Sequence, residues 1–453
     1  MSKKIHIPAS LLSSARGAAL KVLFHVEHGQ TAQSALAAVI GEKTGSAALP
    51  VQERNLCSEL VYGVLRYEHR LNFILRPFLK QPEKTPLALL LILRLGVYSL
   101  LFQEKIPPHA AVYTAVSLTS AVCGKSLSRV TNGVLRSVQR LGNVLYNQNF
   151  YTTTDKIVEA GLSRYFSLPL WLVQLWRKAY GEKNADKLMQ RSLSRPWSGL
   201  RFNPHHNESE NLRKALCAYL DENHYASVTE YGLAVAPGKL PEFLCDRRLA
   251  DWIAEGAVSF QSAGSQAVLQ ALGCTHWQKP VWDACAGYGG KSMALLEAGV
   301  RCALASDISL KRLHHLPDVC RRLGLDAPSI VLGNAAQPPL QTWSGHILAD
   351  VPCSGHGVLS RRPDLRKRIT PERTRQLQLL QRQILAKLTA VLAPGSQLAY
   401  ITCALDPAEN EKAIHNVLEG RHDLMLKTQW QTPHDHPWME GMYGALLEKT
   451  VKA

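Results

Sequence analysis

Apolar residues recur at helical spacing through the first 145 positions, with little alternation and only short polar breaks, a pattern that predicts an all-helical bundle. Leu56, Leu60, Val61, Val64 and Leu65 form one such stripe and read as core positions. The most apolar stretch, 87–102, is interrupted by Arg94 and Gly96 and falls short of the ~18–20 residues that cross a bilayer, so it predicts a buried helix of a water-soluble protein. Residues 150–250 mix helical stretches (169–180, 208–220) with strand-like pieces (199–202, 225–228) and read as a small α+β connecting domain without legible chemistry. From about residue 254 onward, strand-like runs at 281–285, 302–306, 346–349 and 397–402 alternate with helices, the pattern of a parallel sheet covered on both faces. Between the last two runs Thr370 can cap a helix that has Pro371 in its first turn. Leu377, Leu380, Ile384, Leu388 and Val391 mark its buried face, and Gly395 ends it. A further helix is expected to start at Asp406, with Pro407 and Glu409 forming a capping box. The expected division is therefore 1–145, 150–250 and 254–453.

The hydrophobic share of 46% with 19% charged residues is that of a chain that folds. Net charge changes the picture more. Residues 1–150 carry 17 Lys and Arg against 7 Asp and Glu, +10 of a total of +16, so the helical third points to a polyanion, of which nucleic acid is the commonest. The ten cysteines are scattered singly with no C-x-x-C pair, which signals neither a metal site nor a disulfide framework and fits a reducing compartment. The N-terminus lacks the apolar stretch of a signal peptide, and a cytoplasmic location is expected.

Three constellations carry chemistry. Asp283-Ala284-Cys285-Ala286-Gly287-Tyr288-Gly289-Gly290-Lys291 lies at a strand end and opens a helix, where glycines let backbone N–H groups approach a ligand. A phosphate-binding loop would need glycine where Cys285 stands, which argues against a nucleotide triphosphatase. Asp307 follows the next strand, where a carboxylate can take both hydroxyls of a ribose, so the pair of features fits an adenosine-containing cofactor. Ala349-Asp350-Val351-Pro352-Cys353-Ser354-Gly355 and Tyr400-Ile401-Thr402-Cys403-Ala404 then place two cysteines at strand ends. Ligands of open parallel sheets sit beyond those ends, so both thiols are expected in one crevice with Asp350 beside them. Such a pair suits methylation at carbon 5 of cytosine. That carbon becomes nucleophilic only after a thiolate adds at carbon 6, and its proton must later leave to a base.

The segments Gly63-Val64-Leu65-Arg66, Leu93-Arg94-Leu95-Gly96-Val97-Tyr98, Ile106-Pro107-Pro108-His109-Ala110-Ala111-Val112 and Asn132-Gly133-Val134-Leu135-Arg136 resemble motifs of the NusB-type RNA-binding domain. Arg94, within an apolar stretch, is expected to be a structural ion-pair partner. With the three constellations in their order, nearly the whole chain resembles the RsmB family (also called Sun or Fmu) of 16S rRNA cytosine-5 methyltransferases. The resemblance implies an all-α NusB-like domain, a small α+β linker and a seven-stranded Rossmann-like class I methyltransferase domain. It also implies S-adenosyl-L-methionine as cofactor and 16S rRNA as partner, with no part for DNA or membrane. Cys285, Ala286, Gly287, Tyr288, Gly289, Gly290 and Lys291 would form the methionine-side loop, and Asp307 would bind ribose. Asn334 would lie near adenine, Asp350 near the methyl donor and the base, Cys403 would be the nucleophile and Cys353 the base. Ser360-Arg361-Arg362-Pro363-Asp364 resembles the segment that follows the family's Pro-Cys motif. The chain departs from the family at Tyr288 (usually proline), Asn334 (usually aspartate) and Ser262 (usually aspartate). A non-catalytic NusB-like antitermination factor with a degenerate methyltransferase fold is the alternative; the basic first 145 residues suit both, the paired cysteines only the enzyme.

Overall fold

The computed structural model describes residues 7–41, 49–152 and 157–451, and the chain divides into two compact units. One comprises Met1–Lys178 with Arg362–Arg368, the other Ala179–Arg361 with Ile369–Ala453.

The first unit is helical: α1 (Ala15–Glu27), α2 (Ala32–Ile40), α3 (Val51–Leu75), α4 (Leu87–Phe102), α5 (Pro108–Cys123), α6 (Lys125–Leu141), α7 (Asn149–Thr152), α8 (Val158–Tyr165) and the start of α9 (Leu170–Leu193), which breaks at Gly181. The hydroxyls of Ser14 and Thr31 start α1 and α2 by accepting the N–H groups of Gly17 and Ser34. Leu60, Val61, Val64 and Leu65 of α3 are buried as the stripe predicts, against an α4 whose Leu91 to Leu93 are wholly enclosed. Gly63 is dictated by packing: a Cβ there would stand 2.0 Å from Cζ of Tyr98. Arg94 is a buried ion-pair partner, 2.9 Å from Glu27 and 3.1 Å from Glu68, with Nε donating to Asn72 Oδ1 (2.8 Å). The short segment Arg362–Arg368 contributes Lys367 to the same cluster, 2.5 Å from Glu27 and 2.9 Å from Glu68. Burial alone would raise the Glu27 carboxyl, but Lys367 and Arg94 hold it below its ordinary value. Arg362–Arg368, which overlaps the stretch resembling the family's post-Pro-Cys segment, thus belongs to the helical unit and joins its charge cluster.

The second unit opens with a four-stranded antiparallel sheet of order β2-β3-β1-β6, built from β1 (Ser198–Phe202), β2 (Tyr225–Thr229), β3 (Gly232–Val235) and β6 (Val258–Phe260). Helix α10 (Ser209–Tyr219), a ribbon of β4 (Phe243–Leu244) and β5 (Arg247–Arg248), and α11 (Leu249–Ala254) complete it around Leu200, Phe202, Leu212, Leu216 and Leu233. Then follow α12 (Ala263–Ala271), β7 (Val281–Asp283), α13 (Gly290–Glu297), β8 (Cys302–Asp307), α14 (Leu310–Leu313), α15 (Leu316–Leu323), β9 (Ser329–Leu332), β10 (His346–Asp350), α16 (Pro371–Val391), β11 (Gln397–Thr402), α17 (Glu411–Leu418), β12 (Leu424–Gln431) and β13 (Tyr443–Lys449). Their seven strands form one sheet of order β12-β13-β11-β10-β7-β8-β9, parallel from β11 to β9, with β13 antiparallel to both neighbours. This is the Rossmann-like methyltransferase architecture. The central strands are continuous apolar runs, Ile347 to Ala349 and Leu398 to Ile401, because helices cover both faces.

Helix α16 begins as its sequence predicts, with Thr370 Oγ1 accepting the Arg373 N–H (3.2 Å), and buries Ile384, Leu388 and Val391. The expected capping box at Asp406 is absent. Helix α17 starts at Glu411, and the Glu409 carboxylate instead accepts a distant backbone N–H, a stronger demand because that donor is buried. Strands β9, β12 and β13 carry no early signal; β9 and β12 are edges, half exposed and mixed in polarity. Among the described residues no helix is long and apolar enough to cross a membrane.

Candidate functional site

The carboxyl ends of β7, β8, β10 and β11 supply the expected residues. After β7 the chain turns through Gly287 (φ +56°) and Gly289 (φ +78°), conformations that L side chains adopt only with strain. The Gly287 N–H donates to Asp307 Oδ2 (3.0 Å) at the end of β8, while Asp307 Oδ1 accepts the Ser309 N–H (2.8 Å). Two accepted bonds leave a carboxylate with lone pairs for further donors and fix where it points. Cys285 and Ala286 line the turn, and burial drives the Cys285 thiol well up, beyond the range of an active nucleophile. Tyr288, at the position of the usual proline, is 63% exposed with its ring 6.0 Å from that of His315.

Asp283 lies beneath this turn, fully enclosed. Its Oδ2 accepts the Ser292 hydroxyl (2.6 Å) and its Oδ1 the Cys285 N–H (3.3 Å), and burial pushes its carboxyl up to about 7 despite these donors. Lys291, in the first turn of α13, places Nζ 2.5 Å from Asp350 Oδ2 at the end of β10. Asn334 sits exposed beyond β9; its Oδ1 already accepts the Ala336 N–H (2.9 Å), which leaves its amide nitrogen as the outward donor.

Strands β10 and β11 are parallel neighbours with Asp350 opposite Ile401, so the loops leaving them emerge side by side. The two thiols meet there. Cys353 Sγ and Cys403 Sγ are 3.1 Å apart and the Cys403 N–H donates to Cys353 Sγ (3.2 Å); all ten cysteines are free thiols. Its bond to the Cys403 sulfur, then burial, hold the Cys353 thiol well above its ordinary value.

Several supporting residues carry no sequence signal as site residues. Glu409 accepts the Ser354 N–H (2.9 Å) and the Gln381 amide (2.9 Å), and Gln381 also donates to the Pro352 carbonyl (2.9 Å), so three elements fix the Cys353 loop. Burial raises the Glu409 carboxyl against these bonds. Thr402 donates to Asn410 Oδ1 (2.6 Å), whose amide donates to the Ala404 carbonyl (3.1 Å), bracketing Cys403. Gly357 passes so close to the Gly441 and Cys403 carbonyls that a Cβ would lie 2.0 and 2.9 Å from them. Within residues 150–250, where no chemistry is legible in the sequence, Arg201 of β1 reaches the start of α13. It pairs with Glu297 and donates to Gln261 Oε1 (2.6 Å) and to the Gly290 carbonyl (3.1 Å), to which Gln261 Nε2 also donates (3.0 Å). Asp283, Lys291, Asp307, Asp350, Cys353 and Cys403 are thus gathered at one edge of the sheet, and the opening of α13 is clamped from behind.

A seven-stranded sheet of this order, with a glycine turn after β7 and an acid after β8, defines a Rossmann-like methyltransferase, here joined to a helical domain. Residues 271–444 match the model for 16S rRNA methyltransferase RsmB/F and residues 13–140 that of the NusB family. The probable ribosomal RNA small subunit methyltransferase B of Bacillus subtilis is 30% identical over 417 residues, 91% of this chain and 90% of that one. Its counterpart in Synechocystis is 33% identical over 396 residues, 84% of each. The solved structure of PH0851 superposes with a TM-score of 0.74 at 18% identity, covering 99% of this chain and 100% of that one. The chain belongs to the RsmB/F family of ribosomal RNA methyltransferases.

Proposed function

We propose that the protein transfers a methyl group from S-adenosyl-L-methionine to carbon 5 of a cytosine in 16S rRNA, in the cytoplasm, through a covalent adduct with Cys403. The observation that carries this reading is the pair of thiols 3.1 Å apart at the ends of β10 and β11, with Asp350 at the first of those ends. The cofactor, when bound, supplies an electrophilic methyl group. The pocket fits it: Gly287, Gly289 and Gly290 leave backbone room, Asp307 keeps acceptor capacity for ribose hydroxyls, and Asn334 offers an amide donor for adenine.

Cys403 Sγ bonds to carbon 6 of the base, and the ring electrons move to carbon 5, which takes the methyl group. Asp350, oriented by Lys291, holds the amino group or ring nitrogen of the cytosine and stabilises the charged adduct. Cys353 then accepts the carbon-5 proton, the ring re-forms its double bond and the Cys403–carbon 6 bond breaks. Both thiols give up their protons to solvent first: Cys403 before it adds to carbon 6, and Cys353, whose raised value has its bond to the Cys403 sulfur as the largest cause, once that sulfur is committed to carbon 6. Bisulfite sequencing of 16S rRNA incubated with the protein and S-adenosyl-L-methionine tests the reading. One newly protected cytosine is expected, and labelled methyl incorporated without a protected cytosine would sink the carbon-5 assignment.

A further inference from the structure

Around Arg94 the charges of the helical unit are paired, but the α5–α6 hairpin is different. From Lys105 to Thr154 the sequence contains no Asp or Glu. Four of the five Lys and Arg in that span, Lys125, Arg129, Arg136 and Arg140, lie on α6 and are all exposed. At 100° per residue these positions fall within an arc of about 60° and run ~22 Å along one side of the helix. Among the described residues none of the four has a carboxylate partner; Arg136 and Arg140 bond only to Gln139 (3.0 Å) and Ser137 (2.9 Å) of their own helix. Lys125 stands in the first turn of α6, which holds no acidic residue, so its charge adds to the positive end of the helix dipole instead of being offset there. Between Arg129 and Arg136 a Cβ on Gly133 would meet nothing within 4 Å, so the stripe is smooth and open.

The Thr119–Thr131 side-chain bond (3.0 Å) ties α5, which carries Tyr113, to α6. Tyr113 is 71% exposed, an aromatic ring with no packing role. A line of unpaired cations accompanied by a free aromatic face matches one polyanion in particular. The cations follow a phosphate backbone while the ring stacks an unpaired base.

We infer that the exposed face of α5 and α6 binds an unpaired strand of RNA, with Lys125, Arg129, Arg136 and Arg140 tracking its phosphates and Tyr113 stacking a base. The inference rests on the ribosomal RNA reading of the substrate and says which surface holds it. The test measures binding of the full chain to transcribed 16S rRNA across a salt series. The triple variant Arg129→Gln, Arg136→Gln, Arg140→Gln should reduce the slope of log affinity against log salt by about 2, since each single-strand phosphate contact contributes about 0.7. A charge-matched control, Lys183→Gln, Lys214→Gln, Lys239→Gln, should keep the native slope. Tyr113→Ala should keep the slope yet bind an unstructured RNA of about 12 nucleotides roughly tenfold more weakly, with no change on a duplex of equal length. These positions are on the surface, and a matching thermal melt verifies folding. A native slope in the triple variant, an equal loss in the control, or no binding of rRNA by the native chain would overturn the surface. Equal weakening on duplex and single strand by Tyr113→Ala would overturn the unpaired strand. Cys403→Ala should retain the native slope while losing methyl transfer, so failure of the reaction and failure of the surface are read separately.

Discussion

The sulfur atoms of Cys353 and Cys403 approach to 3.1 Å although 50 residues separate them, because β10 and β11 are adjacent, Cys403 directly follows β11 and Cys353 lies in the loop just after β10. The asymmetry of the pair suits the two roles proposed for it. Cys353 receives the Cys403 N–H as well as the other sulfur; its bond to that sulfur and burial hold its value up, against the N–H.

Exchanging each cysteine separates those roles. Cys403→Ala forms no adduct and should lose both turnover and covalent complex. Cys353→Ala leaves addition and methyl transfer possible but removes the base for the carbon-5 proton, so the adduct should accumulate as a slower band on a denaturing gel with RNA and S-adenosyl-L-methionine. The reverse pattern would make Cys353 the nucleophile. Full activity in both variants would make the pair structural and end the mechanism.

Asp307 offers a test of the cofactor pocket that is independent of RNA. Asp307→Ala removes the anchor of the Gly287 N–H and, with it, the acceptor proposed for ribose hydroxyls. Affinity for S-adenosyl-L-methionine should fall by roughly 1.5–3 kcal/mol, the scale of hydrogen bonds to a charged group. Calorimetry showing native affinity would remove Asp307 from the pocket.

Asp283 makes stability depend on pH in a predictable direction. Its carboxyl titrates at about 7 in the folded chain and near ~3.9 when unfolded, so between those values the folded state holds a proton that the unfolded state has released. The stabilising contribution is complete below ~4 and is lost as pH rises through about 7, on the order of a few kcal/mol. Asp283→Asn imitates the protonated form and keeps partners for Ser292 and Cys285. Melting temperatures between pH 5 and 8 should fall less steeply in the variant than in the native chain. Parallel curves would show that Asp283 is ionised in the fold.

Much of this site was legible because its parts are local. Strand ends carry Asp283, Asp307, Asp350 and Cys403, and an apolar run followed by glycine or cysteine marks such an end in one window of sequence. What escaped is contact across long separations. Glu409 reads as a helix cap from its neighbours Asp406 and Pro407, yet its carboxylate serves Ser354, 55 residues away. Lys367 carries no sequence signal for its partners, since Glu27 and Glu68 belong to helices some 300 residues earlier. The edge strands β9 and β12 lack the two-sided burial that makes β10 and β11 unmistakable.

Arg201 and Glu297 are the clearest instance of such a distant contact, and they allow stability to be separated from positioning. Both side chains are buried, with Arg201 donating onward to Gln261 and to the Gly290 carbonyl at the start of α13. Arg201→Met leaves Glu297 buried without its cation and should cost ~3–5 kcal/mol of folding stability, read as a lower urea midpoint. The double variant Arg201→Met, Glu297→Met removes both charges together, and most of that loss should return, because well-packed apolar residues replace buried ion pairs at little net cost. The Gly290 carbonyl, however, loses its Arg201 donor in both variants while the Gln261 amide remains. S-adenosyl-L-methionine affinity should therefore stay reduced by about 0.5–1.5 kcal/mol in the double variant, the net worth of one hydrogen bond, while its urea midpoint approaches the native one. Recovery of both quantities together would mean that Arg201 acts through packing alone. Recovery of stability without affinity would identify it as the residue that positions the cofactor turn from behind.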